Sequence, residues 1–156
     1  MNTEIQPVAR HGPGTLLSDH HHRLERKCRD MLGWAYTDDA RDLGSAWEDL
    51  EAELLDHMAA EEEVILPSYA MHAPEDAHRI RDEHARIRSL VTPIGIDVEL
   101  HEIRVARLRR LVEALEAHSA SEDAAMYPWA AQHIPLVGER LLSARIERWC
   151  ARSDPT

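Results

Sequence analysis

Apolar residues recur every three or four positions along almost the whole chain, and no stretch shows the strict alternation that is typical of a half-buried strand. A period of this kind places one apolar face along an α-helix. We therefore predict an all-α fold. Glycine and proline interrupt the pattern at a few points, and these points are where we expect the helices to end.

The breaks divide the chain into four long helices and a shorter C-terminal one. Pro74 suits the first turn of the third helix, and Ser45 with Glu48 can form a capping box at the start of the second. Short connections favour an up-down-up-down four-helix bundle with a short extra C-terminal helix. We expect an N-terminal arm over residues 1–14, one bundle domain over 15–150 and a C-terminal tail over 151–156. The predicted helices cover residues 16–36, 45–67, 74–92, 97–127 and 135–150.

The composition argues against several classes of partner. The 156 residues carry 18 basic and 29 acidic side chains, which give a formal net charge of −11. Nucleic acid and anionic lipid both require clustered lysine and arginine, so we expect neither nucleic acid nor a membrane as a partner. The N-terminus has no signal-peptide pattern, so we expect a cytoplasmic protein. Cys28 and Cys150 lie far apart, which predicts neither a disulfide framework nor a thiolate metal site.

The apolar faces contain histidine and glutamate at a few fixed positions. Eleven histidines occur in the chain, and four of them fall on the inward stripe of a long helix. Two glutamates occupy the same stripes. Unpaired imidazoles and carboxylates in a hydrocarbon interior would be very costly, so we expect these groups to share a ligand. The six residues are His21, His57, Glu61, His84, His118 and Glu122.

The same constellation occurs twice along the chain. Residues 57–67 match residues 118–128, with histidine, glutamate and proline all displaced by 61 positions. Residues 19–24 match residues 82–87 with a displacement of 63. Two helical hairpins of one design would be related by a pseudo-twofold axis that passes between the two ligand sets. This symmetry predicts two metal ions.

A histidine and a glutamate four residues apart lie on the same face of a helix, so each such pair offers one nitrogen and one oxygen to the same point. Imidazole and carboxylate together suit iron or manganese better than calcium, and zinc is chemically acceptable. One arrangement pairs His21 with His57 and His84 with His118, and both glutamates then bridge. Each metal would keep an open position, which a small-molecule ligand requires.

The order of these residues resembles the hemerythrin-like, or HHE cation-binding, family. The family pattern is histidine on the first helix, His-x-x-x-Glu on the second, histidine on the third and His-x-x-x-Glu on the fourth. All six positions are filled within residues 15–130. The resemblance implies a four-helix bundle with two iron ions in a non-heme centre that binds oxygen or a related small molecule.

Two positions depart from the oxygen-carrying hemerythrins that the chain resembles. Those proteins have a second histidine four residues after the one on the third helix, where this chain has Arg88. They also use an aspartate at the position of Asp123, whereas the inward stripe favours Glu122. His20 is the alternative to His21, because the two are adjacent in a run of three histidines.

The pattern favours a di-iron protein that binds O2, NO or peroxide for sensing, delivery or detoxification. Two alternatives stay open from the sequence: a catalase- or peroxidase-like di-iron enzyme, and a structural or interaction module that the metal stabilises. Binding and turnover would use the same open positions, and the pattern does not fix the oligomeric state. Of the neighbouring side chains, we expect Glu62 on a solvated face, with a hydrogen bond to a metal ligand as the alternative, and we expect Tyr127 to pack in the core.

Overall fold

The computed structural model describes residues 12–37 and 43–152 of the chain. Over these residues the protein consists of seven helices without a strand, which confirms the predicted all-α class. The expected N-terminal arm and C-terminal tail lie mostly outside the described residues. The helices are α1 (Pro13–Thr37), α2 (Leu43–Val64), α3 (Leu66–His72), α4 (Pro74–Glu99), α5 (Val105–Ala124), α6 (Met126–His133) and α7 (Leu136–Arg152).

The third long helix continues past the point where the sequence predicts its end. Helix α4 runs through Pro93 to Glu99, although an interior proline removes one backbone hydrogen bond. Contacts with α5 offset this loss, because the Arg107 guanidinium donates to the Pro93 carbonyl at 2.9 Å and to Asp97 Oδ1 at 2.6 Å. His101 then takes a positive φ of 55° in the turn before α5. The prediction that residue 97 begins a helix that includes His101 is therefore wrong.

The second and fourth predicted helices are each divided near their C-terminal end. Helix α2 ends at Val64 and α5 ends at Ala124, and a short helix follows each of them. Pro67 and Pro128 lie in the first turns of these short helices, where the missing N–H has no intrahelical acceptor in any case. The two prolines occupy equivalent positions in the sequence repeat and the two breaks agree to within one residue, so the repeat extends to the backbone.

Four of the helices surround a common interior. Helices α1 and α4 each contact both α2 and α5. In the described part of the chain, the backbones of α1 and α4 do not approach each other closely, and neither do those of α2 and α5. Two apolar clusters fill this interior, one around Leu24, Leu54 and Leu115 and the other around Leu17 and Met126. The histidines and glutamates lie between them along each helix.

Helix α7 covers one side of this arrangement. Leu142, Ile146 and Trp149 are buried, and the helix contacts α1 and α2. The Trp149 indole N–H donates to Asp56, and its ring centroid lies 4.5 Å from that of His20. The start of α1 is also closely packed, since a Cβ atom at Gly14 would lie 2.7 Å from the Tyr127 carbonyl oxygen. No helix in the described ranges is long and apolar enough to cross a membrane.

Candidate metal centre

The structure brings all six predicted site residues together in the interior. One histidine comes from α1 and one from α4, and α2 and α5 each supply a histidine and a glutamate one helical turn apart. Each of the six is at most 3% exposed. They are His21, His57, Glu61, His84, His118 and Glu122.

The two carboxylates lie between two pairs of imidazoles. Glu122 Oε2 lies 3.2 Å from His21 Nε2 and 3.3 Å from His118 Nε2, and its Oε1 lies 3.5 Å from His84 Nε2. Glu61 Oε1 lies 3.1 Å from His57 Nε2, and its Oε2 lies 3.4 Å from His84 Nε2. Each carboxylate therefore faces imidazoles from both halves of the repeat, as a bridging ligand would.

The imidazoles themselves form two close pairs. The Nε2 atoms of His21 and His57 are 2.9 Å apart, and the ring centroids of His84 and His118 are 4.8 Å apart. One ligand atom from each of His21, Glu61, His118 and Glu122 lies within 4.8 Å of the others. This spacing is compatible with ligand atoms gathered around a metal ion.

Several atoms at the centre of the cluster have no hydrogen-bond partner among the residues that the structure describes. These are the Nε2 atoms of His84 and His118, one Glu61 oxygen and both Glu122 oxygens, and all of them are fully buried. Buried polar side-chain atoms in proteins nearly always have a partner, because leaving them unpaired costs free energy. A cation at this point would satisfy nitrogen and oxygen lone pairs together. The side chains present therefore fit a metal ion.

Carboxylates accept hydrogen bonds from the Nδ1 atoms of two histidines; we call Nδ1 the outer nitrogen because it lies on the side of the ring away from the centre. The Nδ1 atom of His84 donates to Glu62 at 2.9 Å, and Arg88 holds both Glu62 oxygens at 2.8 and 3.0 Å. The Nδ1 atom of His118 donates to Glu83 at 2.9 Å. Such bonds fix the tautomer that turns the Nε2 lone pair inward. Glu62 is partly buried and bonds to His84, one of the predicted ligands, whereas the contact of Glu83 with His118 was not predicted.

The other two histidines have different neighbours. The Nδ1 atom of His57 faces the Nδ1 atom of His20 at 2.8 Å, so His20 lies behind His57 and outside the centre. The Tyr127 hydroxyl donates to Glu61 and lies 3.0 Å from His21 Nε2. Tyr127 is thus buried as predicted, but its hydroxyl also reaches the centre. That contact crosses between helices, so it leaves no signal in a local sequence pattern.

The aspartate alternative lies elsewhere. Asp123 is only partly buried and lines an open surface groove with Ser18 and Asp19. Glu122, one residue earlier, is fully buried in the cluster. The structure therefore places His21 and Glu122 at the centre, and it places the alternatives His20 and Asp123 outside it.

Charge and burial shift the titration of the central groups in opposite directions. Burial lowers the pKa of His84, but the carboxylates of Glu122 and Glu61 outweigh this effect and raise it to about 10. Burial and the neighbouring His57 lower the pKa of His21 well below its usual value. Burial and the Glu61 charge raise the pKa of Glu122. The metal-free centre therefore retains protons that a cation would displace, and metal affinity should fall at low pH.

The burial of His20 predicts how the free energy of unfolding of the metal-free protein depends on pH. Burial lowers the pKa of His20 to about 4, despite the opposing effect of the Glu53 carboxylate 3.6 Å away. The folded protein therefore resists protonation of His20 more than the unfolded chain does, and stability falls as the pH falls from 6.5 towards 4. We expect this residue to account for about 2–3 kcal/mol of the loss between pH 7.5 and 4.5.

Urea unfolding at pH 7.5, 5.5 and 4.5, with a chelator present, measures this loss. The neutral His20→Gln variant should lose less stability on acidification than the original protein. His22→Gln is the matched control, because His22 is exposed. If the free energy of unfolding falls by the same amount on acidification in His20→Gln and in the original protein, the expectation is contradicted.

Residues 13–130 match the family model described as the hemerythrin HHE cation binding domain. The matched range contains helices α1 to α5 and all six central residues, and it ends before α7. The chain matches no curated protein and no solved structure to a significant degree.

Proposed function

Because the chain belongs to the hemerythrin HHE cation-binding family, we propose that it is a non-heme di-iron protein that binds O2, NO or peroxide. The observation that carries the proposal is the set of buried nitrogen and oxygen atoms, without a hydrogen-bond partner among the described residues, that α2, α4 and α5 direct to one point beside His21 of α1. Manganese and zinc are the alternative metals, since both accept imidazole and carboxylate ligands.

The proposed frame is an up-down-up-down bundle of α1, α2, α4 and α5. The central residues support this topology through their positions along the helices. His21 and His84 lie in the first half of α1 and α4, whereas Glu61 and Glu122 lie near the ends of α2 and α5. These four residues can lie at the same height along the bundle axis only if consecutive long helices run in opposite directions.

We propose that His21 and His57 hold one iron and that His84 and His118 hold the other, with Glu61 and Glu122 as bridges. The close imidazole pairs and the carboxylates between them support this assignment. Four protein ligands leave coordination positions open on each metal, and iron with an open position can bind a small diatomic molecule or peroxide.

The surrounding side chains would isolate such a ligand. The apolar cluster around Leu24, Leu54 and Leu115 closes one side of the site. Burial and the two central carboxylates raise the pKa of Tyr127 well above its usual value, so its hydroxyl keeps its proton. Tyr127 therefore supplies a hydrogen-bond donor beside the His21 and His57 pair. A hydrogen-bond donor beside the centre also favours peroxide turnover as the second candidate function.

Iron content per chain tests the proposed site. We expect two irons per chain after anaerobic reconstitution with ferrous iron and desalting, and at most one in His57→Ala and in His118→Ala. His78→Ala is the matched control, since His78 is exposed on α4 and should keep both irons. No bound iron in the original protein, or an iron content that the two central substitutions leave unchanged, would overturn the proposal.

Exposure of the reduced iron protein to O2, NO and peroxide tests the proposed ligand class. A change in the visible spectrum with at least one of them is the expected result. Steady peroxide consumption by the desalted protein would identify the enzymatic alternative. No spectral change with any of the three molecules would leave only a structural role for the metal.

A further inference from the structure

The sequence repeat relates the two halves of the centre, but their outer neighbours differ. In the repeat, His21 corresponds to His84 and His20 corresponds to Glu83, each 63 positions later in the sequence. His57 corresponds to His118, 61 positions later. The pair formed by His20 and His57 is therefore the symmetry counterpart of the pair formed by Glu83 and His118. An imidazole occupies one of these outer positions and a carboxylate occupies the other.

In the half formed by His84 and His118, both outer nitrogens bond to a carboxylate. Glu62 accepts from His84 and Glu83 accepts from His118, each at 2.9 Å. Arginines hold these carboxylates in place, since Arg88 binds Glu62 and Arg79 binds Glu83. Each imidazole therefore has a fixed tautomer, and the anion behind it makes its inward nitrogen a stronger electron donor.

In the half formed by His21 and His57, neither outer nitrogen bonds to a carboxylate of residues 12–37 or 43–152. The two Nδ1 atoms of His57 and His20 can share only one proton, and the His20 Nε2 atom is 3.6 Å from Glu53. The Tyr127 hydroxyl lies 3.2 Å from His21 Nδ1. The repeat places Asp123 in correspondence with Glu62, but Asp123 faces the surface groove.

From this difference we propose that the two halves bind metal with unequal affinity, and that the half formed by His84 and His118 fills first. The inference rests on the proposed two-metal function. Loss of an outer partner of a metal-bound histidine lowers metal affinity by about 10- to 100-fold. We expect the first and second binding constants to differ by about that factor.

Titration of the metal-free protein with Co²⁺ tests the order of filling, because the visible absorption of bound Co²⁺ counts the metals directly. The expected result for the original protein is two separate steps. Glu83→Gln should weaken the first step by about 10- to 100-fold, so that the two steps merge. His20→Ala should weaken only the second step. Circular dichroism shows whether each variant folds.

Matched controls use the neighbouring carboxylates. Asp82→Asn changes an exposed residue beside Glu83, and Glu63→Gln changes an exposed residue beside Glu62. Both variants should keep the two steps of the original protein, whereas Glu62→Gln should resemble Glu83→Gln and provides a second variant if the latter fails to fold.

The possible failures are distinguishable. Two Co²⁺ ions that bind with equal affinity, or a Glu83→Gln variant in which only the second step weakens, would overturn the inference and leave the two-metal centre intact. A protein that binds no Co²⁺ and no Fe²⁺ would overturn the inference together with the proposed function.

Discussion

Anaerobic addition of Fe²⁺ to the metal-free protein is expected to raise its melting temperature by about 10–20 °C. A ligand that binds only the folded state adds about 2.7 kcal/mol of stability at one hundred times its dissociation constant, and two such sites add about 5 kcal/mol. For a chain of this size, each kcal/mol corresponds to roughly 2–4 °C. The unpaired central atoms supply the physical reason, because the metal removes their cost in the folded state.

Differential scanning calorimetry under nitrogen measures this shift, and excess chelator should reverse it. Mg²⁺ is the control ion, since it prefers oxygen ligands and should produce little change. An unchanged melting temperature with saturating Fe²⁺ would contradict metal binding at the centre. The shift is independent of any activity, so it separates metal binding from the choice of small molecule.

Glutamine at the two central carboxylates, Glu61 and Glu122, is expected to destabilise the metal-free protein to different degrees. Burial and the Glu61 charge raise the pKa of Glu122, so folding stabilises the charge of Glu122 less than it stabilises the charge of Glu61, and an amide should replace Glu122 at the smaller cost. The neighbouring His57 and His84 outweigh burial and hold the pKa of Glu61 well below its usual value. Glu61→Gln therefore removes a charge that its neighbours stabilise.

We expect Glu61→Gln to lose about 3–5 kcal/mol of unfolding free energy, the usual cost of breaking a buried ion pair, and Glu122→Gln to lose less than Glu61→Gln. Both variants should lose most of the thermal stabilisation by Fe²⁺, since each lacks one of the two proposed bridges. Urea unfolding at pH 7.5 with chelator measures the first effect. Equal destabilisation by the two substitutions would show that the two carboxylates carry similar charge.

The residues of the centre could be predicted from the sequence because their arrangement is local. A histidine and a glutamate four positions apart share a helix face whatever else the fold does, and the apolar stripe shows which face is inward. His57 with Glu61 and His118 with Glu122 are pairs of this kind. The choice of His21 over His20 also followed from the stripe, and the structure places His21 at the centre.

The residues around the centre could not be predicted in the same way. Glu83 and Tyr127 meet the site across helix interfaces, and no periodicity along one helix specifies which residues of another helix they face. The end of α4 was missed for a related reason. Arg107 lies on α5, and its bonds to Pro93 and Asp97 decide whether the helix continues. Whether a segment forms a helix depends mainly on its own sequence. Where the helix ends, and which residues of other helices contact the site, depends on tertiary packing.

The position of Trp149 bears on how much of the chain is needed to enclose the site. The family pattern ends at residue 130, yet the indole of Trp149 lies against both His20 and His57 with ring centroids 4.5 and 6.0 Å away. A relative that stopped at residue 130 would keep all six central residues but would leave this imidazole pair open to water. The part of the chain that carries the shared sequence pattern is therefore smaller than the part that encloses the site.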